Sequence, residues 1–352
     1  MKKQTENHGK RYYDIRDAVD REEWDNFIKS HEESNFLQSW DFYEFHRSRG
    51  CNVVRRLAFS EAGALAGAYA GVVEPARRGR HLAIAGGPIC DWSDKKLVKA
   101  LISDIRTEAE RHHCVFARIR PQLSLSTKSL EIMRKNGLKK SPTFLSVEYA
   151  GLLDLNNSEE EILKNASQGF RRKLRKAAKE GIIIERSTDP SVIKDFYRIE
   201  VAHAKRQGFV PFSESYLTKQ FTAFAENGEA VMYTAKLDGE ILAMNFMIFY
   251  GDECSYHYGT STDLGTRHSA APLLHLEAMR DARDRGITRY NLWGIVGLEE
   301  KNHRFYGVSE FKRSFGCTEY RYTPAHDLIV APISYYLKTY LIESLRKKIR
   351  HT

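Results

Sequence analysis

Cysteine is scarce in this chain, and the few cysteines are not arranged in pairs. The five are Cys51, Cys90, Cys114, Cys254 and Cys317, an odd number with no C-x-x-C spacing. Disulfide frameworks use even sets of cysteines, and structural zinc sites use closely spaced ones. The pattern therefore argues against both and predicts free thiols in a reducing compartment, with no bound metal.

Long apolar segments are missing as well. Residues Met1 to Lys10 are polar and lack the apolar stretch of a secretory signal. The longest apolar run, Ile241 to Tyr250, is interrupted by Asn245 and falls short of the ~18 residues of a membrane-spanning helix. We therefore expect a cytoplasmic protein.

The sequence also lacks the motifs of common hydrolases. No serine lies in a G-x-S-x-G turn, so an activated serine nucleophile is not predicted. His112 and His113 are neighbours near the end of a predicted helix, so their side chains face different directions and form a poor metal pair. We predict a surface or packing role for both.

What is present is the composition of an ordinary globular protein. Of 352 residues, 42% are hydrophobic, 11% aromatic and 29% charged, which excludes a disordered chain. This length exceeds the ~250 residues at which single cores stop growing, so we expect two domains. The net charge of +9 favours a polyanionic partner: nucleic acid, a phosphorylated small molecule or an anionic membrane face.

One pattern of strand, helix and strand occurs in both halves of the chain. Its second strand follows a helix each time, which favours a parallel pair and predicts two mixed α/β layers of similar build. In the first half, Ser93 is the predicted cap of the helix. The predicted segments are Leu82–Ile84, Ser93–His113 and Val115–Ile119, then Cys254–Tyr258, Ala270–Arg285 and Thr288–Trp293.

A strongly basic segment separates the two halves. We predict one helix over Ser158–Glu180, capped reciprocally by Ser158 and Glu161 and ended by Gly181. Its cations are too dense to be neutralised locally, which favours an anionic partner, although a solvated helix face remains an alternative. They are Arg171, Arg172, Lys173, Arg175, Lys176 and Lys179.

Two further segments have compositions that suggest binding or catalysis. The loop from Gly259 to Ala271 lies where acetyltransferases of the GNAT class hold the coenzyme A pyrophosphate, but Arg267 and Pro272 do not suit that role. In the block from Phe305 to Gly316, Lys312 beside Phe311 could stabilise an oxyanion as an amine attacks an ester. An aromatic-flanked lysine is, however, more often an amphipathic surface residue.

Six short motifs occur in order along the chain, and the last is the most specific: Leu37–Trp40, Gly87–Asp91, Arg118–Pro121, Arg171–Gly181, Tyr256–Ser261 and Tyr306–Gly316. Together they resemble motifs of the Fem family of aminoacyl-tRNA-dependent ligases, which extend peptidoglycan precursors. The resemblance implies an α/β (mixed α+β) fold of tandem GNAT-like domains, in which the C-terminal helix returns to the first domain. The expected domains are 12–150 plus 324–350, and 151–323.

The resemblance also implies an aminoacyltransferase that moves an amino acid from aminoacyl-tRNA to an amino group on the peptide stem of a peptidoglycan precursor. No cofactor is expected, because the ester is already activated, and a monomer suffices. The implied catalytic residues are Lys312, Phe311 and Asp91. The implied substrate-binding residues are Arg206, Tyr216, Tyr256, Tyr258, Trp40 and Arg120, and the implied tRNA-binding residues are Arg171, Arg172, Lys173, Arg175 and Lys176.

Two positions depart from the family pattern: Glu44 replaces a phosphate-binding lysine, and Gly86 replaces a tyrosine. The chain also lacks a long charged heptad insertion, so it is similar to the members without a coiled-coil arm. An acyl-coenzyme A-dependent N-acyltransferase of polysaccharide or lipid metabolism is the alternative, and a non-catalytic nucleic-acid or membrane binder is a third reading. An amphipathic helix over Ser334–Arg350 could place the protein on the inner membrane face.

Overall fold

The chain divides into two compact units in a computed structural model that describes residues 12–75 and 79–342. The first unit takes in the described residues of the ranges 1–33, 51–146 and 323–352, and the second comprises 34–50 and 147–322. The predicted ranges gave 34–50 to the first domain. The helix within residues 34–50 instead packs on the helix Glu214–Ala225 of the second unit.

The secondary structure follows the mixed pattern predicted from the sequence. Single 3-10 turns occur at Phe36–Gln38 and Pro190–Val192. The elements in chain order are β1 (Tyr13–Asp17), α1 (Arg21–Lys29), α2 (Trp40–Ser48), β2 (Asn52–Ser60), β3 (Leu65–Glu74), β4 (His81–Ala85), β5 (Ile89–Cys90), α3 (Lys95–Arg111), β6 (Phe116–Arg120), α4 (Thr127–Lys135), β7 (Lys139–Lys140), β8 (Tyr149–Asp154), α5 (Glu159–Asn165), α6 (Gln168–Ala177), β9 (Ile183–Ser187), α7 (Ile193–Gln207), α8 (Glu214–Ala225), β10 (Ala230–Leu237), β11 (Glu240–Tyr250), β12 (Glu253–Ser261), α9 (Asp263–His268), α10 (Ala270–Asp284), β13 (Arg289–Gly294), α11 (Tyr306–Arg313), β14 (Thr318–Arg321), β15 (His326–Ile329) and α12 (Pro332–Ser334).

The sheet of the first unit has the order β1-β2-β3-β4-β6-β15-β7, with β5 paired to β3. Strands β4 and β6 are parallel and are joined through α3, as the repeat predicts. Helix α3 buries Leu97, Leu101 and Ile105, which recur every four residues on the face turned to the core. The predicted cap was wrong, because Asp94 and not Ser93 accepts from the first amides of this helix.

The sheet of the second unit has the order β14-β8-β13-β12-β11-β10-β9. Here β12 and β13 form the parallel pair, joined through α10. Helix α10 buries Leu274, Ala278 and Ala282 on one face and packs against β11. The pattern of strand, helix and parallel strand that was predicted in both halves is therefore present in each unit.

The prediction of one basic helix over Ser158–Glu180 is wrong in one respect, because two helices, α5 and α6, occupy this segment. Helix α5 begins with the predicted reciprocal cap of Ser158 and Glu161. Ala166 is extended, and Ser167 starts α6 by accepting from the Phe170 amide. A serine at this place offers the backbone a new cap, and that cap competes with an unbroken helix.

The described C-terminal segment continues from α12 as a π-helical turn over Tyr335–Tyr340. The basic end of the predicted helix, from Arg346 to Arg350, lies outside the described residues, as does Met1 to Lys10. Across residues 12–75 and 79–342, none of the helices has the length and apolarity required to cross a bilayer.

Candidate active site

The parallel strands of the second unit separate at their carboxyl ends. Their register joins Glu253, Cys254 and Ser255 to Arg289, Tyr290 and Asn291 and goes no further, although β12 extends to Ser261 and β13 to Gly294. Trp293 turns the backbone with a φ of 66°, and its amide donates to the Asn291 side chain at 2.8 Å. The carboxyl end of β13 thus separates from β12, while its Gly294 stays paired with Ala150 of β8.

A buried carboxylate holds the two strands together just before they separate. Glu253 is 2% exposed and accepts from Ser255 Oγ at 2.6 Å and from Asn291 Nδ2 at 3.1 Å. Its second oxygen accepts from Arg289 Nε at 2.8 Å. Because the charges of Glu253 and Arg289 are both hydrogen-bonded, this network holds β12 and β13 together up to the point where their pairing ends.

Lys312 lies at this opening. Its Nζ donates to the Gly294 carbonyl at 2.8 Å, and the residue is only 6% exposed. Its helix is fixed on both sides of it, because Ser309 Oγ accepts from the Val296 amide at 3.0 Å and Arg313 donates to the Val296 carbonyl. The alternative of a surface lysine is therefore wrong.

Burial lowers the pKa of Lys312 to about 7, with the nearby Cys317 opposing the shift. A lysine of this kind changes its protonation near neutral pH, which is unusual for an ammonium group. Among the residues that the structure describes, it donates to the Gly294 carbonyl alone, whereas an ammonium group has three N–H bonds. The geometry therefore suits donation to a further oxygen.

The ring of Tyr256 is close both to Lys312 and to a buried histidine. Lys312 Nζ is 5.6 Å from the ring centroid, and the ring of His275 is 4.5 Å away at 73°. The Tyr256 hydroxyl occupies the space of a missing side chain, since a Cβ on Gly259 would be 1.9 Å from it. Gly259 is thus required by the position of Tyr256.

Sequence reasoning did not find His275. It is fully buried in α10, its Nδ1 lies 2.7 Å from the Tyr290 hydroxyl, and burial lowers its pKa to about 3, helped by Lys312. It is therefore neutral. A histidine at an inward position of a helix gives no distinct signal in a single sequence. The ring of Phe311 is 5.6 Å from His275, so the predicted neighbour of Lys312 completes this cluster.

A bulge at His257 separates the two predicted tyrosines of β12. Met247 pairs with Tyr256 and Phe246 with Tyr258, which leaves His257 as the extra residue. Tyr256 and Tyr258 consequently point to opposite faces of the sheet.

Tyr258 contacts the predicted Tyr216. Burial raises the pKa of Tyr258 well above its ordinary value, and a hydrogen bond with Tyr216 adds to this shift. Tyr216 stacks on Phe212 at 4.4 Å, and the Arg49 guanidinium lies 4.7 Å from its ring centroid. These residues form an aromatic cluster on the α8 side of the sheet, whereas Tyr256 faces α10.

Arg206 and Trp40 lie elsewhere in the second unit. Arg206 is exposed at the end of α7, donates to the Ser261 carbonyl at 2.9 Å and pairs with Asp263 at 3.2 Å. Trp40 is the first residue of α2 and is half-buried. Glu44, the departure from the family pattern, pairs with Arg47 of the same helix at 3.2 Å.

The predicted tRNA-binding cations fall into two groups. Arg171 Nη1 donates to the carbonyls of Lys164 at 2.7 Å and Ala166 at 3.1 Å, so it caps α5. Lys176 donates to the Arg267 carbonyl at 2.9 Å. The remaining three are exposed, and no ion pair joins them to another described residue: Arg172, Lys173 and Arg175.

Asp91 and Arg120 belong to the first unit. Asp91 is exposed and accepts from the Ser93 amide at 2.8 Å and from its hydroxyl at 2.7 Å, which lowers the pKa of the carboxyl and weakens it as a base. Arg120 is 1% exposed and donates to Ser146 Oγ at 2.6 Å and to Gln122. Its described contacts hold the loops that follow β6.

A second carboxyl near Asp91 was not predicted. Burial, then the charge of Glu32 and more weakly that of Asp91, raise the pKa of Glu33 to about 7. Glu33 is thus better suited than Asp91 to accept a proton near neutral pH. It follows α1 and belongs to no motif, so no sequence pattern identifies it.

The glycine-rich loop after β12 is shaped by packing. A Cβ on Gly265 would lie 2.0 Å from the Leu242 carbonyl oxygen, so a side chain has no room there. Pro272 lies in the first turn of α10, where it supplies no amide to a ligand. The close contact with Leu242 therefore explains why residue 265 is a glycine, and a bound pyrophosphate is not needed to explain it.

Comparison with known proteins places this architecture in a family. The sequence profile of the FemAB family matches residues 19–240 and 234–343. A lipid II:glycine glycyltransferase of Staphylococcus aureus (strain bovine RF122 / ET3-1) is 24% identical over 377 residues, which cover 85% of this chain and 89% of the relative.

Solved structures agree with the predicted fold. The crystal structure of FemX has a TM-score of 0.84 at 20% identity and covers 94% of this chain and 100% of its own. A tandem GNAT protein from the clavulanic acid biosynthesis pathway has a TM-score of 0.58 at 12% identity, with coverage of 90% and 98%. The expectation of tandem GNAT-like domains is confirmed, and so is that of an aminoacyltransferase. Since the profile spans most of its length, this chain belongs to the FemAB family.

Proposed function

We propose that the protein transfers an amino acid from aminoacyl-tRNA to an amino group on the peptide stem of a peptidoglycan precursor, as a step of cross-bridge synthesis. The observation that carries this proposal is the buried Lys312, hydrogen-bonded to the Gly294 carbonyl where β12 and β13 separate. The glycyltransferase relative, whose name gives lipid II as its substrate, supports the acceptor class.

Lys312 acts on the charge that develops during the reaction. The acceptor amine attacks the ester carbonyl, a C–N bond forms, and the carbonyl oxygen becomes an oxyanion. An N–H of Lys312 that does not bond Gly294 donates to this oxygen. The C–O bond to the tRNA ribose then breaks, and the proton of the amine moves to the leaving oxygen.

The tRNA is recognised through its phosphates. Arg172, Lys173 and Arg175 are exposed on α6, opposite the buried Phe170 and Leu174. Cations that protrude from one helix face can contact successive phosphates without reading bases. Arg171 and Lys176 contribute mainly to the protein's own structure, because both donate to backbone carbonyls.

The acceptor is bound by aromatic and charged groups. We assign stacking contacts to Tyr216 and Tyr258, and phosphate contacts to Arg206, which is exposed at the end of α7 in the same unit. Asp91 stays the proposed contact of the acceptor amine, and Trp40 a proposed substrate contact. The buried Arg120 favours a supporting role instead.

The test is transfer of radiolabelled amino acids from charged tRNA to two acceptors, a UDP-linked muropeptide and its lipid-linked form. Labelling of either that ribonuclease abolishes is the expected result. A parallel reaction holds labelled acetyl-coenzyme A in place of tRNA. Labelling there alone would replace the proposal with the coenzyme A-dependent alternative, and labelling in neither reaction would contradict both.

A further inference from the structure

The described C-terminal segment turns its apolar side chains outward. Ile333, Leu337 and Leu341 follow each other at intervals of one helical turn and are 79%, 63% and 52% exposed. Tyr335, on another side, is fully buried and packs on Phe116 with 5.3 Å between ring centroids. An ordinary surface helix buries its apolar side chains and exposes its polar ones. The exposed apolar face of this segment is therefore suited to an apolar contact outside the unit.

The apolar face is also concave. A cavity of about 380 Å³ opens beside it, and its lining is apolar apart from one serine. The lining residues are Ala331, Pro332, Ile333, Ser334 and Leu337. A shallow apolar hollow of this size has room for part of an acyl chain.

Positive charge borders the apolar face. Lys139 Nζ lies 4.6 Å from the ring centroid of Tyr336, and Lys140 is exposed beside it on β7. In the sequence, four cations follow within ten residues of Ile342, against the single carboxylate of Glu343. They are Arg346, Lys347, Lys348 and Arg350. Apolar residues bordered by lysine and arginine are the pattern of a segment that lies on an anionic bilayer.

We propose that the face formed by Ile333, Leu337 and Leu341 docks on an anionic lipid surface. Lys139 and Lys140, which border this face, then contact the lipid headgroups. The inference rests on the proposed function, in which a lipid-linked acceptor makes such docking useful. The binding itself requires no substrate and can be measured alone.

The experiment is cosedimentation of the full chain with vesicles of phosphatidylcholine, with and without phosphatidylglycerol. We expect binding only to the anionic vesicles, with a loss of about tenfold or more in Ile333→Asp/Leu337→Asp. Val19→Asp/Ile183→Asp is the matched control, since it adds the same charge at residues 85% and 66% exposed elsewhere. It should bind like the wild type.

Three results would overturn the proposal. They are no binding of the wild type to anionic vesicles, unchanged binding of Ile333→Asp/Leu337→Asp, or a wild-type dimer in sedimentation velocity that this variant dissociates. The last would make the face a contact between two copies. Transfer to the UDP-linked muropeptide, which has no lipid, should be equal in both variants. Vesicle binding without any transfer would leave the docking intact and remove the proposed function instead.

Discussion

Replacing Lys312 with methionine should stabilise the protein and abolish transfer. Methionine keeps the length and apolar stem of lysine and removes the ammonium group. In the folded state burial lowers the pKa of this group from 10.5 to about 7. The unfolded state therefore binds a proton between these pH values that the folded state does not, so wild-type stability rises with pH across this window.

The size of the effect follows from the shift. A difference of 3.5 pKa units corresponds to about 5 kcal/mol below pH 7 and about 4 kcal/mol at pH 7. The variant loses the hydrogen bond to the Gly294 carbonyl, which offsets about 2 kcal/mol. The net gain at pH 7 is then about 2 kcal/mol, or about 4–8 °C in the Tm of the second unit.

Thermal and guanidinium unfolding of Lys312→Met, measured from pH 6 to pH 10, provide the assay. The gain should be largest at pH 7 and below, vanish at about pH 9 and become a small loss by pH 10, where the lost hydrogen bond outweighs the remaining cost of the shifted pKa. Lys194→Met, at an exposed lysine of α7, is the matched control and should change stability by less than about 0.5 kcal/mol. A Lys312→Met protein that is less stable at all pH values, or that keeps its transfer activity, would refute the reasoning.

Three further predictions concern other parts of the second unit. Gly259→Ala should displace the Tyr256 ring, because a Cβ would lie 1.9 Å from its hydroxyl, and should lower kcat/KM by about a hundredfold. His257→Phe should make the protein less sensitive to acid. Burial lowers the pKa of His257 to about 3, so the wild type loses stability as the pH falls below 6.5. At pH 4.5 this loss amounts to about 3 kcal/mol, and the variant should not show it. The double substitution of Arg172 and Arg175 by alanine should raise the KM for aminoacyl-tRNA at unchanged kcat and reduce the slope of log KM against log salt by about 1.4.

Each of these has a control or a contradicting outcome. A Cβ on Gly169 would contact only Ser167 Oγ, at 3.9 Å, so Gly169→Ala should leave kcat/KM unchanged. Equal losses at both glycines would argue against the Tyr256 explanation. Denaturant titrations at pH 8 and pH 4.5 compare His257→Phe with the wild type, and equal acid losses would contradict a buried neutral histidine. A fall in kcat for the double arginine variant would show that these residues do more than hold the tRNA.

Much of the fold was predictable because its signals are local. The hairpin of β10 and β11 has Asp238 and Gly239 at its turn, and both adopt positive φ as that turn requires. The errors arose where two local signals competed. Asp94 displaced Ser93 as a helix cap, and Ser167 divided the basic helix by offering a cap inside it.

The candidate site was less predictable because its features depend on tertiary contacts. The family resemblance selected Lys312 and Phe311, but nothing in the sequence gives the burial that lowers the pKa of Lys312. The bulge at His257 reverses the face of the residues that follow, so spacing alone could not separate Tyr256 from Tyr258. His275 is identified only by the neighbours that surround it in the fold.

The central claim is tested most directly by mass spectrometry of a peptidoglycan precursor after incubation with charged tRNA and the enzyme. The account predicts that the peptide stem gains the mass of one amino acid residue with the wild type and with Lys194→Met, and gains nothing with Lys312→Met. An unchanged precursor with the wild type, or the same gain with Lys312→Met, would contradict it.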